Sequence, residues 1–116
     1  MAQYFNITGE LTQELLAAGS NATVSKISLT NIEGTNKCTV DLYIEKKFKS
    51  TYVEEGVISA SNYAGKFYLL KGVELPIGAT LMYDSMRFSN RDSEYGLYIK
   101  LTKSASETPA VDVIVN

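Results

Sequence analysis

Alternation of apolar and polar positions with a period of two dominates the chain. In "CTVDLYIE" (38–45), Cys38, Val40, Leu42 and Ile44 point one way, and Thr39, Asp41, Tyr43 and Glu45 the other. That is the signature of a strand with one buried face. "GLYIKLTK" (96–103) repeats it, with Leu97, Ile99 and Leu101 inward and Tyr98, Lys100 and Thr102 outward. "AVDVIVN" (110–116) sets Val111, Val113 and Val115 against Asp112 and Ile114. The polar connection "SASETP" ends in a proline, which lacks a backbone donor and sits more easily before a strand than inside one. "ATVSKISLT" (22–30) alternates less cleanly, with Val24, Lys26, Ser28 and Thr30 opposite Ser25, Ile27 and Leu29. Its β-branched content still favours a strand. The Asn- and Gly-rich "NIEGTNK" that follows predicts a turn, so 22–30 and 38–45 are expected to form a hairpin.

Two stretches are less regular. In "YLLKGVELPIGATLMYD" (68–84), Phe67 to Lys71 and Val73 to Leu75 are strand-like, with Gly72 marking a bulge or tight bend. "PIG" is then expected to be a corner between strands rather than a ligand loop, because proline presets one turn dihedral and glycine permits a positive φ. "ELTQELLAAGS" (10–20) has helical spacing at Leu11, Leu15 and Ala18, with Gly19 as a cap, yet it alternates as well. The strand reading is preferred because its surroundings are β.

The segment 46–66 is longer than most loops in a compact domain, with room for one short strand around "TYVEEGVIS". It carries Phe48, Tyr52 and Tyr63, rings that either cover an open end of the domain or contact a neighbouring subunit, where aromatics are enriched. A second such place is "MRFSNRDSEYG" (86–96), with Arg87, Phe88, Arg91 and Tyr95. The expected architecture is a single all-β domain over residues 1–116. It is an antiparallel β-sandwich of about 8 strands, jelly-roll or immunoglobulin-like.

Composition narrows the function. At 116 residues, 45% apolar and 21% charged, the chain can bury a real core. A net charge of −2 argues against a nucleic-acid binder that neutralises phosphates. Lys46, Lys47 and Lys49 are followed at once by Glu54 and Glu55, as in a solvated loop. "MAQYFNITGE" has neither a basic start nor a long apolar stretch, and no run approaches the ~20 apolar residues of a membrane helix, so no membrane association is expected. Cys38 is the only cysteine, which excludes an internal disulfide and fits synthesis in a reducing cytoplasm.

Catalytic chemistry is poorly supplied. There is no histidine, hence no Ser-His or Cys-His nucleophile system and no usual zinc ligand. "GVELPIG" lacks the Lys-Ser/Thr of a phosphate loop. Glu54 and Glu55 are adjacent, so in a strand they would face opposite ways. Asp84, Asn90, Asp92 and Glu94 lack the spacing and central glycine of a calcium loop. Cys38 shares the core face with Val40 and Leu42 and reads as a buried hydrophobe. No enzyme activity, cofactor, metal site or catalytic residue is expected.

Three pieces in order, "VSKISLTNIEGTNKCTVDLYIE", "FYLLKGVELPIGATLMYD" and "YGLYIKLTKSASETPAVDVIVN", resemble small β-sandwich virion proteins of tailed bacteriophages, marine T4-like and related phages above all. The resemblance runs from about residue 22 to the end and carries no catalytic motif. It implies a non-enzymatic structural subunit of the virion, an accessory or decoration protein of capsid, neck or tail. Such a subunit is made in the host bacterial cytoplasm, contacts other virion proteins and self-associates as a trimer or ring. The contact residues expected from the two irregular segments are Phe48, Tyr52, Tyr63, Arg87, Phe88 and Arg91. The alternative is a carbohydrate-binding sandwich module of a phage adsorption apparatus, favoured by eight tyrosines and disfavoured by the absence of tryptophan.

Overall fold

A computed structural model of the chain describes residues 2–47, 53–54, 57–58, 64–84, 88–89 and 95–116. These form twelve strands and no helix: β1 (Gln3–Thr8), β2 (Gln13–Leu16), β3 (Thr23–Val24), β4 (Ile27–Asn31), β5 (Cys38–Lys47), β6 (Val53–Glu54), β7 (Val57–Ile58), β8 (Ala64–Leu75), β9 (Thr80–Tyr83), β10 (Phe88–Ser89), β11 (Tyr95–Lys103) and β12 (Ala110–Val115). One four-stranded sheet runs β1-β12-β4-β9 and the other β2-β11-β5-β8, every pairing antiparallel. The chain thus crosses from sheet to sheet between successive long strands, except from β5 to β8, which are neighbours in sheet two. Two four-stranded sheets interleaved in this order make an eight-stranded jelly roll. The short pairs β3–β10 and β6–β7 are added to it.

The alternating positions explain the core. Sheet one turns Ile7, Ile27, Leu29, Val111, Val113 and Val115 inward; sheet two answers with Val40, Leu42, Leu75, Leu97, Ile99 and Leu101. Each such side chain contributes about 1.5–3 kcal/mol through removal from water. Cys38 lies among them, as its alternation predicted, and burial pushes its thiol pKa up. Strand β2 settles the ambiguous 10–20 stretch: Gln13 to Leu16 is extended, with Leu15 and Leu16 buried. The 22–30 segment is two strands rather than one. A break at Ser25–Lys26, whose N–H groups both donate to the Asn116 carbonyl, lets Val24 and Ile27 both face inward.

The expected hairpin between 22–30 and 38–45 does not form. Strand β4 lies in sheet one and β5 in sheet two, so residues 32–37 are a crossover. Asn31, the buried polar residue of the core, holds it: Nδ2 donates to the Leu75 and Asn36 carbonyls at 3.0 and 3.1 Å, and Oδ1 accepts from Glu33 N–H at 2.9 Å. The hairpin partner of β5 is β8, in register from Cys38↔Leu75 to Lys47↔Ala64. Residues 46–47 and 64–66, expected as loop, therefore belong to the strands of a long hairpin, and β6 and β7 pair between them.

"PIG" is the expected corner. Ala79 N–H donates to the Pro76 carbonyl at 3.1 Å and Gly78 has φ +69°, the positive angle a type II turn requires at that position. It carries the chain from β8 to β9 and so from one sheet to the other. Gly72, at φ +63°, sits where Lys71 and Gly72 bulge against Asp41, whose Oδ1 accepts the Gly72 N–H at 2.7 Å. A second irregularity falls at Leu69. Both interrupt the free edge of β8, and bulged, lysine-bearing edges resist unwanted strand pairing.

Candidate contact surfaces

The alternation of strands sorts the loops. Residues 9–12, 32–37, 76–79 and 104–109 meet at one end of the jelly roll, tied by Gly9 N–H to the Pro109 carbonyl, Ile32 N–H to the Ala110 carbonyl and Asn31 N–H to the Ala79 carbonyl, at 2.9–3.0 Å. At the other end β5 stops at Lys47, β8 starts at Ala64, β9 stops at Tyr83 and β11 starts at Tyr95. The two segments singled out from sequence, 46–66 and 84–96, thus leave the body at the same end. Phe48, Tyr52, Tyr63, Arg87 and Arg91 lie outside the described residues. Phe88 is described: it pairs with Val24 and is buried, so its ring packs inward.

A feature the sequence did not disclose crosses the outer face of sheet two. Register places Tyr98 of β11 beside Tyr43 of β5, and Tyr43 beside Tyr68 of β8. Tyr43 and Tyr98 stack at 5.6 Å between centroids, and Tyr43 and Tyr68 meet tilted at 5.3 Å. Each tyrosine occupies a polar-face position in its own strand; only the strand pairing, which no single segment reveals, brings them into a row. Gly96 makes room for it, because a Cβ there would lie 2.9 Å from both the Leu16 carbonyl and the Tyr98 hydroxyl. The Tyr98 hydroxyl reaches Glu14 Oε2 at 3.4 Å. Burial first, then the charges of Glu14 and Glu45, raise the Tyr98 pKa.

Lys66 lies 4.3 Å from the Tyr43 ring and 5.2 Å from that of Tyr68, and Lys71 lies 4.5 Å from Tyr68. Such cation–π contacts stabilise by about 0.5–1 kcal/mol each at exposed sites. A hydrogen bond with Lys66 lowers the Tyr68 pKa and raises that of Lys66. The row is a poor sugar platform. Tyr43 and Tyr98 are only 6% and 7% exposed, and Lys66 stands over the Tyr43 ring; Tyr68, at 40%, is the accessible member.

The outer face of sheet one is different. Tyr4, Ile114, Ser28 and Met82 align across β1, β12, β4 and β9, with Tyr4, Ile114 and Met82 exposed. The adjacent row is polar: Asn6 donates to Asp112, and the Thr30 and Thr80 hydroxyls meet at 2.8 Å. Tyr4 and Ile114 thus lie side by side, and Met82 lies beyond Ser28 in the same row.

The end formed by 9–12, 32–37, 76–79 and 104–109 is held by carboxylates. Glu33 accepts from the Thr35 and Asn36 N–H groups at 2.9 and 2.7 Å, Glu107 from Ser104 and Ala105 at 2.9 Å, and Glu10 from Lys103 at 2.8 Å. The backbone bonds, led by Thr35 for Glu33 and Ser104 for Glu107, lower both pKa values. A carboxylate more acidic in the folded chain stabilises the fold above its unfolded value, near 4.5, and that stabilisation is lost as pH falls through the folded value. Urea midpoints measured across pH should therefore drop below about pH 4.5. A Glu33→Gln, Glu107→Gln pair should be less stable at neutral pH and show a shallower acid slope.

No group of three or more metal-ligating side chains occurs among the described residues. Among the described residues, no helix is long and apolar enough to cross a membrane.

Neither the family models nor the curated proteins compared with the chain match it. Solved structures of infectious bursal disease virus overlay its fold. The structure of the Gx strain does so at a TM-score of 0.48 and 11% identity, covering 98% of this chain and 32% of that one. The crystal structure of the VP2 subviral particle does so at 0.40 and 8%, covering 98% and 33%. The chain spans about a third of the length of these solved chains, and at such TM-scores the overlays carry no functional weight.

Proposed function

We propose that the chain is a non-enzymatic structural subunit of a tailed-phage virion, an accessory protein of capsid, neck or tail that works by protein–protein contact. The reading starts from the sequence resemblance, which implies that role. The observation that supports it further is that Tyr4, Ile114 and Met82 stand exposed in one row across the outer face of sheet one, on a jelly roll with an aliphatic core. Jelly rolls also serve as lectins and as metal-binding cupins, so the fold alone does not choose. A chain with no histidine lacks the usual cupin ligands. The carbohydrate reading loses its best platform because the tyrosine row is largely covered.

The test is incorporation. A tagged copy expressed during infection by a phage carrying this gene should band with purified particles and resist removal by moderate salt. Particles free of the tagged copy, together with saturable glycan binding by the isolated protein, would move the assignment to the adsorption module.

A further inference from the structure

We propose that β1 pairs antiparallel with β1 of a second copy, about a twofold axis through Asn6, so that the two copies share one continuous sheet. This deepens the reading of the chain as a repeated structural subunit and rests on it.

The ladder between β1 and β12 decides which backbone groups are on offer. Gly9 N–H donates to the Pro109 carbonyl at 2.9 Å, one step beyond the Thr8↔Ala110 pair. Hydrogen-bonded and non-bonded pairs alternate along an antiparallel ladder. Gln3, Phe5 and Ile7 therefore bond β12, and the N–H and C=O groups of Tyr4, Asn6 and Thr8 point away from it. The far side of β12 sets the same phase. Ile32 N–H donates to the Ala110 carbonyl, and Lys26 and Asn116 exchange bonds at 2.9 and 3.0 Å, so the even-numbered residues of β12 serve β4 and the odd-numbered ones serve β1. Among the described residues, no strand pairs with the outward side of β1 and no backbone hydrogen bond reaches it.

The other three edges of the two sheets are guarded. Strands β2 and β9 have four residues each. Strand β8 is bulged twice and carries Lys66 and Lys71. Short, bulged or lysine-bearing edges resist pairing with another chain. Strand β1, "QYFNIT", has none of these devices: its six residues hold unbroken register with β12 and include no charge and no proline. An unguarded edge among guarded ones points to a strand that covers it.

Self-complementarity selects a second copy as that strand. Phe5 packs against the core and Ile7 is buried, whereas Tyr4, Asn6 and Thr8 lie on the outer side. A slip of one residue turns every side chain to the other face, so the axis has to pass through a residue rather than between two. Through Asn6, it sets Asn6 opposite its own mate and Tyr4 opposite Thr8 of the second copy. Every outward N–H and C=O group of the strand is then bonded, each facing pair exchanging two bonds. An axis through Phe5 would leave Thr8 without a mate. On the core side the Asn6 register lays the half-buried Phe5 against Ile7 of the second copy, an aromatic on a β-branched side chain. A strand paired with itself also sets its charges against their like, and β1 has none to oppose. The contact is isologous and closes at two copies. This edge alone thus gives a dimer, where the resemblance implies a trimer or ring.

The experiment joins light scattering behind size-exclusion chromatography to residue-resolved amide exchange by NMR, on wild type and Asn6→Pro. Proline removes one outward N–H, which the monomer's own sheet does not use and the paired edge uses twice, once in each copy. Wild type should rise with concentration from 12.8 kDa toward twice that mass. The Tyr4, Asn6 and Thr8 amides, fast in dilute protein, should slow as it does. Asn6→Pro should stay at the monomer mass with its Tyr4 and Thr8 amides fast. If circular dichroism shows that this variant has unfolded, Thr8→Pro, which removes another outward N–H, takes its place. A wild type monomeric at every concentration, or a folded proline variant that dimerises like wild type, would overturn the proposal. So would a dimer whose Tyr4, Asn6 and Thr8 amides stay fast, the result expected if β1 is instead exchanged onto β12 of the other copy. Incorporation into particles is measured separately, so the subunit role can stand when this contact falls.

Discussion

Leu42→Ala is expected to remove about 3–4 kcal/mol from the unfolding free energy, the largest loss foreseen for a single truncation in this chain. Leu42 is fully buried at the middle of β5, paired with Ile99 on one side and Leu70 on the other. It faces the core shared with sheet one. Close-packed neighbours on long strands collapse poorly into the space left behind, so the cavity adds to the lost transfer free energy. Urea denaturation followed by circular dichroism measures it. A loss below about 1 kcal/mol would mean that the sheets are not packed as described.

Asn31→Leu is expected to destabilise by about 2–3 kcal/mol, although it adds apolar volume to an apolar core. The substitution leaves Glu33 N–H and the Leu75 and Asn36 carbonyls without the partner they share. Unsatisfied buried backbone groups cost more than the hydrogen bonds were worth, and the damage is local. Amide exchange should accelerate first in 32–37, the crossover that Asn31 holds. A variant equal to wild type would show that the turn is set by Glu33 and its bonds to Thr35 and Asn36 alone.

The strands were legible because a two-sheet sandwich imposes a period of two on every strand with one buried face. The inward sets of β5, β11 and β12 lie where alternation put them. What alternation does not encode is partnership. Cys38, Val40 and Leu42 would be buried equally well beside β4 or beside β8, and the turn-rich "NIEGTNK" favours the nearer partner. The deciding element is Asn31, a polar residue at the end of an apolar run, which spends its side chain holding a crossover. The same blindness hid the tyrosine row. Alternation places Tyr98 outward, and it does lie on the outer face, yet register lays it against Tyr43 and Glu14 reaches its hydroxyl, leaving it buried. Gly72 and "PIG" were readable because glycine at positive φ leaves a trace in the sequence itself. Of the six expected contact residues, Phe88 went to the core: as in β11 and β12, a large apolar side chain beside a polar neighbour turns inward when a strand is there to hold it.

Electron cryomicroscopy of the intact particle, at a resolution that separates strands, tests the central claim most directly. A virion subunit predicts an eight-stranded jelly roll in symmetric copies at capsid, neck or tail, with sheet one or one end of the sandwich against a neighbour. A particle whose density is fully assigned to other chains would contradict the account.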